Sequence, residues 1–265
     1  MRKIIFFLSF LLPVLSKGQV IIKEIKETNP NFKNNKYVFP FITVPGNKTA
    51  SDRINDELVK VLLDTDRKKI KKSIFENVWA TKEHPTPLLN DLTYKVINND
   101  QRLLSIAIAG EGCGAYCEDF ISYCCFDSKT GRRIFLNSLF NQQGREAILD
   151  SVNKGKQRIL KTKLAELTDT LNDPRKWSNL NDKKYYEDMK TLYQDCLENG
   201  YKPENLEYLR FYLTRDELFI IIDRCSAHLN RAVDELDDFH FAFSTKYLKK
   251  YLSPLAIQLT QIPSR

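Results

Sequence analysis

Long apolar runs are almost missing from this 265-residue chain. After Ser16, no stretch approaches the roughly 20 apolar residues that a bilayer-spanning helix needs, which argues against a polytopic membrane protein. Histidine is scarce, with only His84, His228 and His240. No His-x-x-x-His or Cys-x-x-Cys spacing occurs, so a tetrahedral zinc centre has no ligand set. The Gly110-Glu-Gly-Cys-Gly114 stretch lacks the Lys-Ser/Thr ending of a phosphate loop and does not open a helix. The acidic run Asp234-Glu-Leu-Asp-Asp238 lacks the spacing of a calcium loop and reads as solvated loop. No internal repeat is present. These absences leave no metal or cofactor to expect and no ready catalytic set.

What is present begins at the N-terminus. Met1-Arg2-Lys3 is a short positive segment, and Ile4 to Ser16 is apolar apart from its serines. That is the build of a cleaved export signal, with Pro13 breaking the helix before Ser16-Lys17-Gly18. Residues 1–18 are therefore expected to be removed, leaving no stable membrane insertion and an exported protein, periplasmic or secreted. Loss of Arg2, Lys3 and Lys17 lowers the net charge by three from +7. A mildly basic surface of that kind is no nucleic-acid footprint, which requires clustered cations on one face. The densest basic run, Arg67-Lys-Lys-Ile-Lys-Lys72, reads as a solvated helix face.

Apolar and charged fractions of 42% and 28% are those of a globular chain. Val20 to Lys26 alternates as a half-buried strand, and Tyr37 to Val44 reads as a second strand that Pro40 places at an edge or bulge. From Ser51 the spacing predicts a helix with Ile54, Leu58, Val61 and Leu62 on one face. Three strands, near Leu92–Ile97, Leu103–Ala109 and Phe120–Phe126, then form a meander, and Asp127–Gly131 turns the chain into a further strand, Arg132–Leu136. Residues 144–199 read as two helices broken at Asn172-Asp-Pro174. Strands return at Leu206–Leu213, Leu218–Ile222 and Asp238–Phe243. Ser244 is placed to cap a last helix, which Ser253-Pro254 ends. Segregated strands and helices predict an α+β fold, with antiparallel sheet in meanders and hairpins and helices packed on it. Residues 19–265 form this domain, either as one body or as subdomains near 19–90 and 91–265.

Six cysteines in an exported chain favour disulfides. Cys113 and Cys117 are close enough for a small loop bridge. Cys124 and Cys125 are adjacent on a strand and point to opposite faces, so they do not bond each other; the full pairing, with Cys196 and Cys225, stays open. The glycine-flanked loop around Cys113 is the candidate binding edge, with Glu111, Tyr116 and Glu118 projecting from a rigid turn. Two other arrangements have plainer readings. A Cys225–His228 thiol–imidazole pair gives way to a bridged or buried Cys225, and a sugar platform of Tyr185, Tyr186 and Tyr193 gives way to helix packing.

Several stretches resemble a known family. They are Phe39-Pro40, Asn47 to Leu58, and Leu92 to Phe140 with Leu104-Ser-Ile106 and Phe126-Asp-Ser-Lys-Thr-Gly131. To these are added Phe211-Tyr-Leu-Thr-Arg-Asp-Glu-Leu218 and Ser244 to Ser253. In this order they resemble the bacterial extracytoplasmic domain of unknown function of RsiV-type anti-sigma factors. The same domain is an accessory module of PdaC-type peptidoglycan deacetylases. The resemblance implies an α+β cell-envelope domain that binds rather than catalyses, with peptidoglycan or an envelope protein as partner. In RsiV-type proteins this domain senses lysozyme. No cytoplasmic segment for a sigma factor is present, and Gly112-Cys-Gly-Ala-Tyr-Cys117 stands where many members carry a Gly-Gly-Ala-His-like stretch. A wall-glycan or peptide hydrolase and a structural partner of another envelope protein are the rival expectations.

Overall fold

The computed structural model describes residues 19–30, 35–79, 87–114 and 116–261, without the side chains of His228 and Leu229. The expected leader and His84 lie outside the described residues. The fold is α+β. A hairpin of β1 (Ile21–Thr28) and β2 (Lys36–Thr43) begins a six-stranded sheet. It continues through β3 (Leu89–Asn99), β4 (Leu103–Cys113), β5 (Cys117–Asp127) and β6 (Arg132–Ile134), in the order β1-β2-β3-β4-β5-β6. All neighbours are antiparallel except β2 and β3, which meet in parallel at Tyr37 and Leu92.

Beyond that bridge a helix, not a strand, closes the edge of β2. Asn55 of α1 (Lys48–Leu63) accepts from the Ile42 N–H at 2.8 Å and donates to the Ile42 carbonyl at 2.8 Å. One buried side chain thereby satisfies two backbone groups that would otherwise be orphaned. This places α1 in a different rotation from the one its apolar spacing suggests. Ile54, Asn55, Leu58, Val59 and Leu63 are buried, whereas Val61 is 41% exposed. Complete burial of Ile54 and Leu58 contributes roughly 1.5–3 kcal/mol each.

Two long helices follow, α2 (Gln142–Asn172) and α3 (Leu180–Glu198). A second antiparallel sheet of β7 (Arg210–Leu213), β8 (Glu217–Ile222) and β9 (Phe239–Ser244) comes next. Two short helices complete the described chain, α4 (Thr245–Leu248) and α5 (Pro254–Thr260). Ser253-Pro254 starts α5 rather than merely ending α4: the Ser253 hydroxyl accepts from the Ala256 N–H, and Pro254 occupies a first-turn position where its missing N–H costs nothing. Ser244 stands at the start of α4 but makes no side-chain cap bond.

Alternation along β4 and β5 divides the interior in two. Leu104, Ile106, Ile108, Cys124 and Phe126 pack with α1 and Phe75 in one core. Leu103 and Cys125 join α2, α3 and the inward face of the second sheet in the other. Where α2 crosses β9, Gly155 lies so close to Phe241 that a Cβ there would sit 2.4 Å from the ring. That contact accounts for a glycine in a long helix.

Candidate binding site

Strand register builds the site. On β4 and β5, Ala107, Ala109, Ile121 and Tyr123 share the face turned away from α1. The strand β7 packs across β4 and β5, tied by the Ser105 hydroxyl donating to the Leu213 carbonyl. Its buried residues Phe211 and Leu213 enter the second core, so the alternate residues Arg210 and Tyr212 take the other face. There Tyr212 stacks on Phe219 with centroids 4.5 Å apart and meets Tyr123 at 5.0 Å. Small Ala107 and Ala109 leave a groove of about 450 Å³ walled by Ile121, Tyr123 and Tyr212.

A polar cleft of about 670 Å³ adjoins this groove, and Ile121 and Tyr123 line both. β6 pairs with β5 only through Cys125–Asp127, so the Glu118-to-Cys124 edge of β5 has no strand neighbour among the described residues beyond β4. Facing that edge are Arg210, Asp223, Arg224, Ser226, Asp238 and His240. Arg210 donates to Asp223 at 2.6 Å and to Asp238 at 2.7 Å. Arg224 donates to Glu118 and to the Ser226 carbonyl, while its own N–H donates to Asp238 at 3.1 Å. Burial alone would pull the Arg210 guanidinium down, but Asp238 and Asp223 outweigh it and hold the cation above its ordinary value. Burial likewise raises the Tyr123 and Tyr212 hydroxyls, which stay protonated as donors.

The loop that carries Arg224 and Ser226 is anchored from behind. Cys225 is disulfide-bonded to Cys196 of α3, with Cα atoms 5.5 Å apart. That bond removes Cys225 as a thiol partner for any histidine. Three residues before Cys196, the Tyr193 hydroxyl accepts from the Glu235 and Leu236 N–H groups and donates to Asp234 at 2.9 Å. Asp234 in turn accepts from the Ser226 N–H at 3.0 Å. Within this fixed frame two polar atoms, Ser226 Oγ and Arg210 Nε, are buried without a hydrogen-bond partner among the described residues. Ser226 as a whole is 8% exposed.

Of the residues singled out from the sequence, Glu118 lines the cleft. Glu111 instead accepts from Asn90 at 2.6 Å, and Tyr116 is 55% exposed, outside the cleft wall. Cys113 and Cys117 are bonded across the β4–β5 turn, so with Glu111 they do not form a thiolate metal site. Tyr193 is buried and Tyr185 packs edge-on against Tyr186, so the open aromatic wall is Tyr123 and Tyr212. Sequence reading missed the arginines and the serine. The one signal for them was the acidic run 234–238, which is wired to Tyr193, Arg210 and Arg224. Only Arg67–Lys69 of the basic run 67–72 form a 3₁₀ turn, and no helix face results; Arg67 is paired to Asp52 and Asp56.

Comparison with known proteins bears on the fold. No family model matches the sequence, and no match is found among curated proteins. A solved structure of a DUF3298 family member from Bacteroides fragilis is similar with a TM-score of 0.51 at 13% identity, covering 93% of this chain and 99% of that one. A DUF3298 family protein from Pseudomonas aeruginosa gives a TM-score of 0.49 at 11% identity, with 93% and 97% covered. In fold, the chain is therefore an α+β domain similar to that of the Bacteroides DUF3298 protein over 93% of its length.

Proposed function

We propose that the chain is an exported, non-enzymatic cell-envelope binding domain that holds a wall component in the tyrosine-lined groove and adjoining cleft. The observation that carries this reading is the pair of buried, unpartnered atoms Ser226 Oγ and Arg210 Nε in a cleft continuous with Tyr123 and Tyr212. Buried polar atoms are normally hydrogen-bonded; these two are closed to solvent in the free protein, so a ligand's hydroxyl or carbonyl oxygen reaches them only when the side chains lining the cleft shift. Wall glycan combines apolar ring faces for the tyrosines with such oxygens, and its peptide stems suit the free edge of β5. Cavities of this size accommodate small-molecule ligands. The two disulfides agree with an oxidising compartment, and among the described residues no helix is long and apolar enough to cross a membrane. Likeness to RsiV-type and PdaC accessory domains supports the same envelope role.

A hydrolase is the weaker reading. Glu118, Asp223 and Asp238 are each paired with an arginine, so none of the three is left free for acid–base chemistry. Co-sedimentation with insoluble peptidoglycan, beside capture on immobilised lysozyme, tests the proposal. Retention by peptidoglycan, weakened about tenfold by Tyr123→Ala, is the expected result. Retention by neither would sink it, retention by lysozyme alone would favour a protein partner, and release of soluble wall fragments would favour the hydrolase.

A further inference from the structure

On the α1 side of the molecule a second cavity of about 570 Å³ lies between the first turn of α1, the β5–β6 turn and α5. Its wall carries Arg53, Arg102, Lys129, Arg132 and Arg133, against a single carboxylate, Asp127. Asp127 is already engaged: it accepts two hydrogen bonds from Arg102 at 3.0 Å, one from the Lys129 N–H and one from the Thr130 hydroxyl. Arg133 reaches Glu57 only at 3.4 Å and lies over the Phe135 ring. Among the described residues Arg53, Lys129 and Arg132 have no carboxylate partner.

The scaffold beneath these cations is fixed. Gly131 has a φ of +70°, and a Cβ there would lie 2.5 Å from the Ala50 carbonyl oxygen, so the turn rests directly on α1. Asn47 donates to the Lys129 carbonyl at 2.9 Å, and Arg53 donates to the Thr130 carbonyl at 3.2 Å. Holding so many like charges together costs free energy unless an anion joins them. Guanidinium forks match the oxygen geometry of phosphate and carboxylate, and a phosphate monoester brings close to two charges where a carboxylate brings one.

We infer that this cavity is a second binding site, for a phosphoryl group, held chiefly by Arg53, Lys129 and Arg132. Two sources present that chemistry, a soluble or polymer-borne phosphate ester and the headgroup of an anionic lipid.

Calorimetric titration of the purified protein with glycerol phosphate, and sedimentation with phosphatidylglycerol or phosphatidylcholine vesicles, distinguish the sources. The expected result is saturable binding to glycerol phosphate, to phosphatidylglycerol vesicles, or to both. Arg53→Gln together with Arg132→Gln is expected to weaken it at least tenfold, with an unchanged circular dichroism spectrum. Lys250→Gln, outside the cavity, is expected to leave it within twofold. Failure of both probes, or equal binding by the double variant, overturns the inference. Peptidoglycan retention by the double variant is measured in parallel, so loss of this site and loss of the groove are read separately.

Discussion

Replacing both Cys196 and Cys225 by alanine asks how far the site depends on its anchor. The bond closes a loop with a sequence separation of 29. Loop-closure entropy for that length corresponds to about 3–4 kcal/mol, against about 2 kcal/mol for the Cys113–Cys117 bridge, with its separation of 4. Alanine avoids burying a hydroxyl at Cys196, which is 7% exposed within the second core. In a chain of this size the loss corresponds to a fall in Tm of about 7–15 °C. Urea unfolding of the two double variants against the parent measures both values. Hydrogen exchange at Arg224 and Ser226 is expected to accelerate only in the Cys196→Ala/Cys225→Ala protein, because of the two disulfides that one alone ties their loop to α3. Equal losses for the two bridges, or unchanged exchange in the loop, would refute the reasoning.

Tyr193→Phe strips the hydroxyl that serves two backbone amides and Asp234, and a loss of about 1–3 kcal/mol in chemical unfolding is expected. Burial pushes the Cys125 thiol up to about 11 from 9.0, against weaker opposing bonds from Ser105 and Leu213. The folded state therefore holds a proton that the unfolded state releases between those values, so stability falls as pH rises from 9 to 11. That contribution, about 2–3 kcal/mol, is read as the difference in pH slope between the parent and Cys125→Ala. Gly155→Ala gains roughly 1 kcal/mol of helix propensity but drives a methyl into Phe241, a clash of about 1–3 kcal/mol. The net effect is a loss that Phe241→Leu relieves in the double variant, as thermal unfolding would show.

Strand alternation and turn chemistry made most of the architecture legible, because a half-buried strand repeats every second residue and the turns carry Asn, Asp and Gly. Legibility failed where a polar residue took a core position. Asn55 is buried because it closes a strand edge, so a reading from apolar spacing alone turned α1 toward Val61. Lys156 likewise breaks the apolar row of α2, yet it is 6% exposed, with its ammonium on the Tyr201 carbonyl at 3.0 Å. The cleft was less visible still. Its residues come from positions 118–123, 210 and 223–240, and only tertiary folding brings them together. Arg210 and Ser226 carry no motif, and their significance lies in unpaired atoms that a sequence does not display.

Hydrogen exchange on the protein with and without soluble peptidoglycan fragments tests the ligand-holding claim most directly. Slowed exchange is predicted along residues 118–123, at 210–212 and at 224–226, with the outer surface of α2 unchanged. Protection confined to other segments, or none at saturating fragment concentration, would contradict the assignment of this groove and cleft as the site.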